Sequence, residues 1–168
     1  KPISNGLPTE RFPCTSVVLD PKSPPDRRTL YAAMFGDGVY KTTDGGRSWK
    51  RTSTGLVDSG NRHVYALHLA SDGTLDCLVT GKRADLVFGP PGGLFKSTDG
   101  ARSWRCLTKN LTVYWPCEFW VDPDNPRTIL MAASDVPKFS TGGLYRTDDG
   151  GRTWKQVLTR KDFDQKVL

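Results

Sequence analysis

Three stretches of the chain follow one pattern, S/T-x-D-x-G-x-x-W: TTDGGRSW at Thr42–Trp49, STDGARSW at Ser97–Trp104 and TDDGGRTW at Thr147–Trp154. We call each stretch a box. The box aspartates are 55 positions apart between Asp44 and Asp99, and 50 positions apart between Asp99 and Asp149. A repeat of this length fits one four-stranded blade of a β-propeller. The chain is therefore a repeat array.

Between the boxes, apolar and polar residues alternate as they do in half-buried strands, and turn residues separate the runs. Each repeat contains four such runs, which we name A to D. In the first repeat they are Ser16–Asp20, Thr29–Phe35, Gly38–Thr42 and Ser48–Ser53; in the second, His63–Ala70, Leu75–Thr80, Gly93–Ser97 and Ser103–Leu107; in the third, Glu118–Asp122, Thr128–Ala133, Leu144–Thr147 and Thr153–Leu158. The sequence predicts an all-β protein, one β-propeller segment over residues 1–168 with four-stranded antiparallel blades at approximately 12–55, 60–109 and 115–160.

The boxes resemble the Asp-box, also called the BNR repeat, a hairpin signature of sialidases, xyloglucanase-type glycosidases and sortilin-type receptors. The resemblance covers nearly the whole chain and implies propeller architecture, but proteins of different activities share it. It also implies export from the cell, to which the sequon at Asn110–Thr112 adds support where the source glycosylates. One departure is Ala101, which stands where the pattern has glycine.

Hairpin chemistry explains the residue types of the box. The aspartate accepts hydrogen bonds from its own turn, glycine supplies left-handed backbone, and the Ser or Thr hydroxyl ties the incoming strand. The tryptophan opens strand D and covers the hairpin or the gap between blades. We therefore assign a structural role to Thr42, Asp44, Gly46, Trp49, Ser97, Asp99, Trp104, Thr147, Asp149, Gly151 and Trp154.

Three blades form only an arc, whereas closed propellers have about four to eight blades. The outer faces of the first and last sheets therefore need partners. Two arrangements remain open: the chain is a piece of a longer propeller, or two copies close a six-bladed ring. The absence of an initiator Met at Lys1 favours a fragment or a processed chain.

Composition narrows the function classes. The net charge is +6, but nine of the 24 Lys and Arg residues recur at fixed repeat positions, which favours solubility and edge protection over a nucleic-acid footprint. No stretch is apolar enough to span a membrane. The four cysteines show no metal spacing; Cys106 and Cys117 either pair or remain thiols. We expect no cofactor and no metal.

Strand parity places all boxes at one end of the propeller and the irregular loops at the other, where specificity is usually carried. We call the second end the irregular end. Its aromatic and charged residues are ingredients of a carbohydrate or protein site, and our ligand-binding candidates are Tyr114, Trp115, Arg83, Asp85, Phe88 and Lys138. The alternative for Tyr114 and Trp115 is packing between the second and third blades. The alternative for Phe88 is a structural role as the anchor of its own loop.

The segment ASDV at Ala133–Val136, followed by GGLYR at Gly142–Arg146, is similar to the xyloglucanase-type blade segment in which an aspartate after strand B is catalytic. Asp135 is accordingly the catalytic candidate, and its partner carboxylate would lie on another blade. Two functions follow. The first is a non-catalytic propeller section that binds a glycan or a protein; the alternative is part of a secreted glycoside hydrolase acting on polysaccharide.

Overall fold

The computed structural model describes residues 4–8, 12–56, 63–81, 83–84, 87–88, 91–135, 140–159 and 161–162. The described chain forms three four-stranded antiparallel sheets, which we call blades. Blade 1 comprises β1 (Cys14–Leu19), β2 (Leu30–Met34), β3 (Gly38–Thr42) and β4 (Lys50–Arg51). In blade 2, β5 (Val64–Leu69) and β6 (Leu75–Val79) pair with each other, and β6 continues to β9 (Gly93–Ser97) and β10 (Arg105–Cys106). Blade 3 comprises β11 (Trp115–Val121), β12 (Ile129–Ser134), β13 (Gly143–Thr147) and β14 (Lys155–Leu158). The predicted all-β class is confirmed.

Each blade is a meander in which consecutive strands pair, as predicted. The loop between β6 and β9 contains one feature that the sequence did not predict, a small antiparallel hairpin of β7 (Arg83–Ala84) and β8 (Val87–Phe88). The first strand of every blade has a register shift near its start, at Cys14/Ser16, Val64/Ala66 and Pro116/Glu118. This common irregularity fixes the structural equivalence of the three repeats.

The second strands, LYAAM, LDCLV and ILMAAS, are the most continuously apolar because blades stacked face to face cover both sides of a central strand. Blades 1 and 2 share one buried cluster, which includes Val39 of blade 1 together with Leu75 and Cys77 of blade 2. Blades 2 and 3 share a second cluster around Leu94 and Met131. We call these two contacts the first and second seams.

Both outer faces of the stack are partly open. On blade 1 a third cluster, including Met34 and Trp49, packs against Leu7 and Phe12 from the start of the chain. On the same face of β1, however, Val17 is 56% exposed and Leu19 is 46% exposed.

On blade 3 the open face is the one turned away from blade 2. Leu144 is half-buried there, whereas its equivalents Val39 and Leu94 are fully buried in the seams. The predicted need for neighbours therefore applies to both ends of the stack.

Among the residues described, no helix is long and apolar enough to cross a membrane.

Candidate functional site

Each box aspartate accepts its hydrogen bonds inside its own hairpin. In blade 1, the Thr42 hydroxyl donates to Asp44 Oδ1 at 2.7 Å, and the Ser48 amide donates to the same oxygen at 2.9 Å. The Thr42 oxygen in turn accepts from the amide of Gly46 at 3.0 Å. Asp99 and Asp149 have the same bonds in their own boxes. The carboxylates are therefore occupied by the turn.

These hydrogen bonds stabilise the charged form of the carboxylates. The pKa of Asp44 is held well below its ordinary value, chiefly by the hydroxyl of Ser48 and then by that of Thr42. Ser103 and Thr153 lower the pKa of Asp99 and Asp149 in the same way. A carboxylate this acidic is a poor general acid near neutral pH, so the box aspartates have the chemistry of structural anchors.

The residue two positions after each box aspartate has left-handed backbone, with φ of 92° at Gly46, 69° at Ala101 and 87° at Gly151. Ala101 thus adopts a conformation that side chains disfavour. Its amide donates to Ser97 Oγ at 2.9 Å, the bond that Gly46 and Gly151 also make in their boxes. The hairpin network therefore imposes this conformation on alanine.

The box tryptophans contact the segment that precedes their own blade. Trp104 is 6% exposed and Trp49 is 7% exposed, whereas Trp154 is half-buried. The indole N–H of Trp154 donates to the carbonyl of Leu107 at 3.0 Å, across the second seam. The tryptophans therefore hold neighbouring blades together.

At the irregular end, the connections of blades 2 and 3 meet. The amide of Gly81, which follows β6, donates to the carbonyl of Tyr114 at 2.7 Å. Trp115 opens β11 and pairs with Ser134, the last residue of β12. The side chains of Tyr114 and Trp115 are both half-buried. Each side chain therefore contributes to packing and leaves part of its surface accessible to a ligand.

The other ligand-binding candidates are placed only in part. Arg83 and Phe88 are backbone register partners in the β7–β8 hairpin, close in sequence to Gly81. Asp85 and Lys138 lie outside the described residues.

Asp135 directly follows β12 and is exposed. Its Oδ1 accepts a hydrogen bond from the amide of Gly142 at 2.7 Å, which closes the base of the loop between β12 and β13. The hydroxyl of Tyr145 donates to the Thr141 carbonyl at 2.8 Å. Burial raises the pKa of Tyr145, and the negative charge of Asp135 raises it further. Asp135 is thus a loop anchor with an accessible carboxylate.

All four cysteines are free thiols. Cys106 Sγ lies 3.7 Å from Thr108 Oγ1, and Cys117 Sγ lies 3.2 Å from Ser134 Oγ, so the two do not pair with each other. Among the described residues no group of three or more His, Cys, Asp and Glu side chains is arranged to hold a metal ion.

Sequence reasoning missed a buried charge in the second seam. Asp76 on β6 is fully buried, with the Lys96 ammonium 3.2 Å from one carboxylate oxygen and His68 Nδ1 3.7 Å from the other. His68, Asp76 and Lys96 are neighbours across three strands. The available signal was a lone aspartate in the apolar run LDCLV, where blades 1 and 3 have Tyr31 and Leu130.

Neither the family models nor the curated proteins contain a match to this chain. Solved structures do match. A GH74 enzyme from Niastella koreensis superposes with a TM-score of 0.65 at 24% identity, over 85% of this chain and 22% of that one. The GH74 xyloglucanase from Xanthomonas campestris gives a TM-score of 0.61 at 23% identity, over 84% of this chain and 21% of that one.

YCF48 from Cyanidioschyzon merolae gives a TM-score of 0.59 at 20% identity, over 95% of this chain and 42% of that one. At such low identities the likeness shows the fold alone. The chain spans about a fifth of the length of the two GH74 enzymes and less than half of YCF48. In those proteins other blades complete the fold around the matched region. The three sheets of this chain form a β-propeller segment.

Proposed function

We propose that this chain is a non-catalytic section of a β-propeller that binds a glycan through its irregular end. The supporting observation is the meeting of separate connections at one place: Gly81 bonds to Tyr114, and Trp115 pairs with Ser134 beside Asp135. Aromatic faces stack on sugar C–H surfaces, and nearby charged groups fix the sugar hydroxyls. The repeated hairpins at the opposite end supply rigidity, because their polar side chains are occupied internally.

Three further assignments belong to this proposal. The boxes are Asp-boxes in the family sense, since their residue pattern and internal hydrogen bonds recur three times. Residues 1–168 act as one unit with blades at approximately 12–55, 60–109 and 115–160, completed by further blades or by a second copy. The chain functions outside the cell, as its resemblance to exported propellers suggests.

The binding function is tested by titrating the chain with xyloglucan oligosaccharides in a calorimeter. Trp115→Ala removes the accessible aromatic face at the irregular end, and we expect a loss of affinity of about tenfold or more. Trp120→Ala is the matched control, because Trp120 lies on the same strand and is 51% exposed but sits near the opposite end.

Thermal melts of both variants verify folding. Equal affinity of Trp115→Ala and the unmodified chain, or equal losses in both variants, contradicts the proposed site. If the natural ligand is a protein instead of a glycan, titration of the chain gives no heat of binding with any oligosaccharide tested.

A second candidate is a section of a glycoside hydrolase, favoured by the exposed carboxylate of Asp135 directly after β12. Asp135→Asn is a sharp test because an asparagine oxygen can still accept the hydrogen bond from Gly142, so the loop keeps its anchor. If the chain releases reducing ends from xyloglucan, loss of that rate in Asp135→Asn supports catalysis. Turnover that survives the substitution, or no turnover by the unmodified chain, rules out this role for Asp135 in the chain alone.

A further inference from the structure

Two adjoining cavities open on the outer side of the second seam. One has a volume of about 420 Å³ and lies between β10 and the box of blade 3; the other, of about 470 Å³, continues from it toward residues 109–110. Arg105 and Arg152 line both cavities, so the two form one groove. We call it the seam groove.

The groove is strongly cationic. Its charged lining residues are Lys96, Arg105, Lys109, Arg127, Arg152 and Asp149. Among the described residues no carboxylate forms an ion pair with Arg105, Lys109, Arg127 or Arg152. The one acidic group, Asp149, accepts hydrogen bonds from Thr147 and Thr153 within its own box. Positive charge is therefore left for a ligand.

The charges meet because of how repeats stack. Lys96 and Arg105 come from β9 and β10 of blade 2, whereas Arg127 and Arg152 come from a corner and the box of blade 3. Cations from separate stretches of the sequence are thus brought to one seam. Lys96, Arg105 and Arg152 are among the nine cations that recur at fixed repeat positions. In the sequence this recurrence argues against a single charged surface, but in the folded chain the stacking of blades 2 and 3 produces such a surface.

A comparison of the two seams shows why the groove is open. At the first seam, Lys41 Nζ donates to the carbonyl of Gly100 in the next box at 3.1 Å. Lys96 is the structural equivalent of Lys41, since both pair with the first residue of the following strand. Lys96 is instead drawn inward to the buried Asp76. Gly150 of the third box consequently lines the cavity.

From this arrangement we propose that the seam groove binds an acidic polysaccharide, with uronate carboxylates held by Arg105 and Arg152. The planar guanidinium group presents two parallel N–H donors that match the two oxygens of a carboxylate. Two cavities in succession suit a polymer that carries a charge on successive sugars. Asn110, which also lines the groove, supplies an amide for sugar hydroxyls.

The lining favours a sugar over single-stranded nucleic acid. Among the described residues that line the two cavities there is no Phe, Tyr or Trp. Proteins that hold single strands without sequence preference usually stack the bases on aromatic side chains. This groove offers charge and hydrogen bonds without such a platform.

The test is a titration of the chain with polygalacturonate, with fully methyl-esterified polygalacturonate as the uncharged polymer of the same backbone. We expect binding of the charged polymer alone, and weaker binding as salt is raised. Arg105→Gln/Arg152→Gln should raise Kd about tenfold or more, because two charge-assisted contacts are lost.

The matched control is Arg47→Gln/Lys50→Gln, which removes the same charge from the equivalent, exposed positions of blade 1. A change below about threefold is expected there, since only long-range attraction is lost. Equal losses in the two double variants, binding of the esterified polymer, or tighter binding of a dT oligonucleotide than of polygalacturonate would overturn the proposal. None of these outcomes depends on the irregular end, so failure here is distinguishable from failure of the proposed glycan site.

Discussion

The main-chain N–H of Trp49 donates to the carbonyl of Asn5 at 2.8 Å, the bond that Trp104 makes to Thr54 at 2.9 Å. The two acceptors belong to similar four-residue turns, SNGL at Ser4–Leu7 and STGL at Ser53–Leu56. In both turns the leucine amide donates to the serine carbonyl at 3.0 Å. Residues 4–7 therefore contact the box tryptophan of blade 1 as the turn that follows β4 contacts the box tryptophan of blade 2.

This equivalence predicts matched effects of two glycine substitutions. Gly6 and Gly55 have φ of 84° and 86°, and a Cβ on either would overlap the carbonyl oxygen of the box tryptophan, Trp49 or Trp104. We expect Gly6→Ala and Gly55→Ala each to lower the free energy of unfolding by about 2–3 kcal/mol, measured by urea denaturation.

Gly73→Ala is the control, because Gly73 has φ of 91° with no atom near the added Cβ and should cost only about 1 kcal/mol. If Gly6→Ala behaves like Gly73→Ala, residues 4–7 do not hold blade 1.

Trp104 is predicted to be the strongest single contributor to the first seam. Its buried ring belongs to the same core cluster as Leu56 and Val64, and its indole N–H donates to the carbonyl of Thr52 at 2.8 Å. Trp104→Ala should lower the free energy of unfolding by about 3–5 kcal/mol through the loss of packing and of this bond. Trp104→Phe should recover most of the packing, leaving a smaller loss. A neutral Trp104→Ala would show that the ring contributes nothing to the seam.

The strand order was predictable because the repeats are long and their alternation is regular. β3 and β9 begin and end where the alternation predicts, at Gly38–Thr42 and Gly93–Ser97. The fourth strands are shorter than predicted, and β4 starts at Lys50 instead of Ser48. The physical reason is that Ser48 donates its amide to Asp44 within the box, so it is unavailable to the sheet.

Less of the candidate sites could be predicted. The turn at Ser4–Leu7 resembles Ser53–Leu56 in sequence, but only the shared hydrogen bond to a box tryptophan shows that the two turns are structurally equivalent. The seam groove has no signal in the sequence, because Arg105 and Arg152 are 47 positions apart and meet only when the blades stack. The inward turn of Lys96 likewise depends on its register opposite Asp76.

Acid should destabilise the fold through the boxes. The pKa of Asp99 is lowered in the folded state by hydrogen bonds from Ser103 and then Ser97. Its stabilising contribution is fully present above the ordinary aspartate pKa of about 4 and is lost as the pH falls through that value toward the folded one. Urea midpoints at pH 7, 4, 3 and 2.5 should therefore decline.

The comparison variant is Asp99→Asn, which keeps an oxygen acceptor for the Ser103 amide but cannot be protonated in this range. Its decline below pH 4 should be shallower than that of the unmodified chain, with the remainder contributed by Asp44 and Asp149. Identical pH profiles of the two proteins would mean that protonation of Asp99 is not linked to unfolding.

The Asp76–Lys96 pair should respond unequally to removal of its two members. Asp76 is fully buried, so Lys96→Met leaves a carboxylate without its ammonium partner and should cost about 3–5 kcal/mol. Asp76→Leu introduces the residue that blade 3 has at the same place, Leu130, and removes the buried charge. The Lys96 side chain, which is partly exposed, then reaches water, and we expect a cost below about 1 kcal/mol.

The double variant Asp76→Leu/Lys96→Met decides whether this asymmetry is electrostatic. It should be far more stable than Lys96→Met alone, because no unpaired charge remains in the seam. Urea unfolding of the unmodified chain and the three variants gives the complete cycle. If Asp76→Leu costs as much as Lys96→Met, the carboxylate stabilises the seam by itself and its burial is not a liability. If the costs of the two single variants simply add in the double variant, the two groups are not coupled.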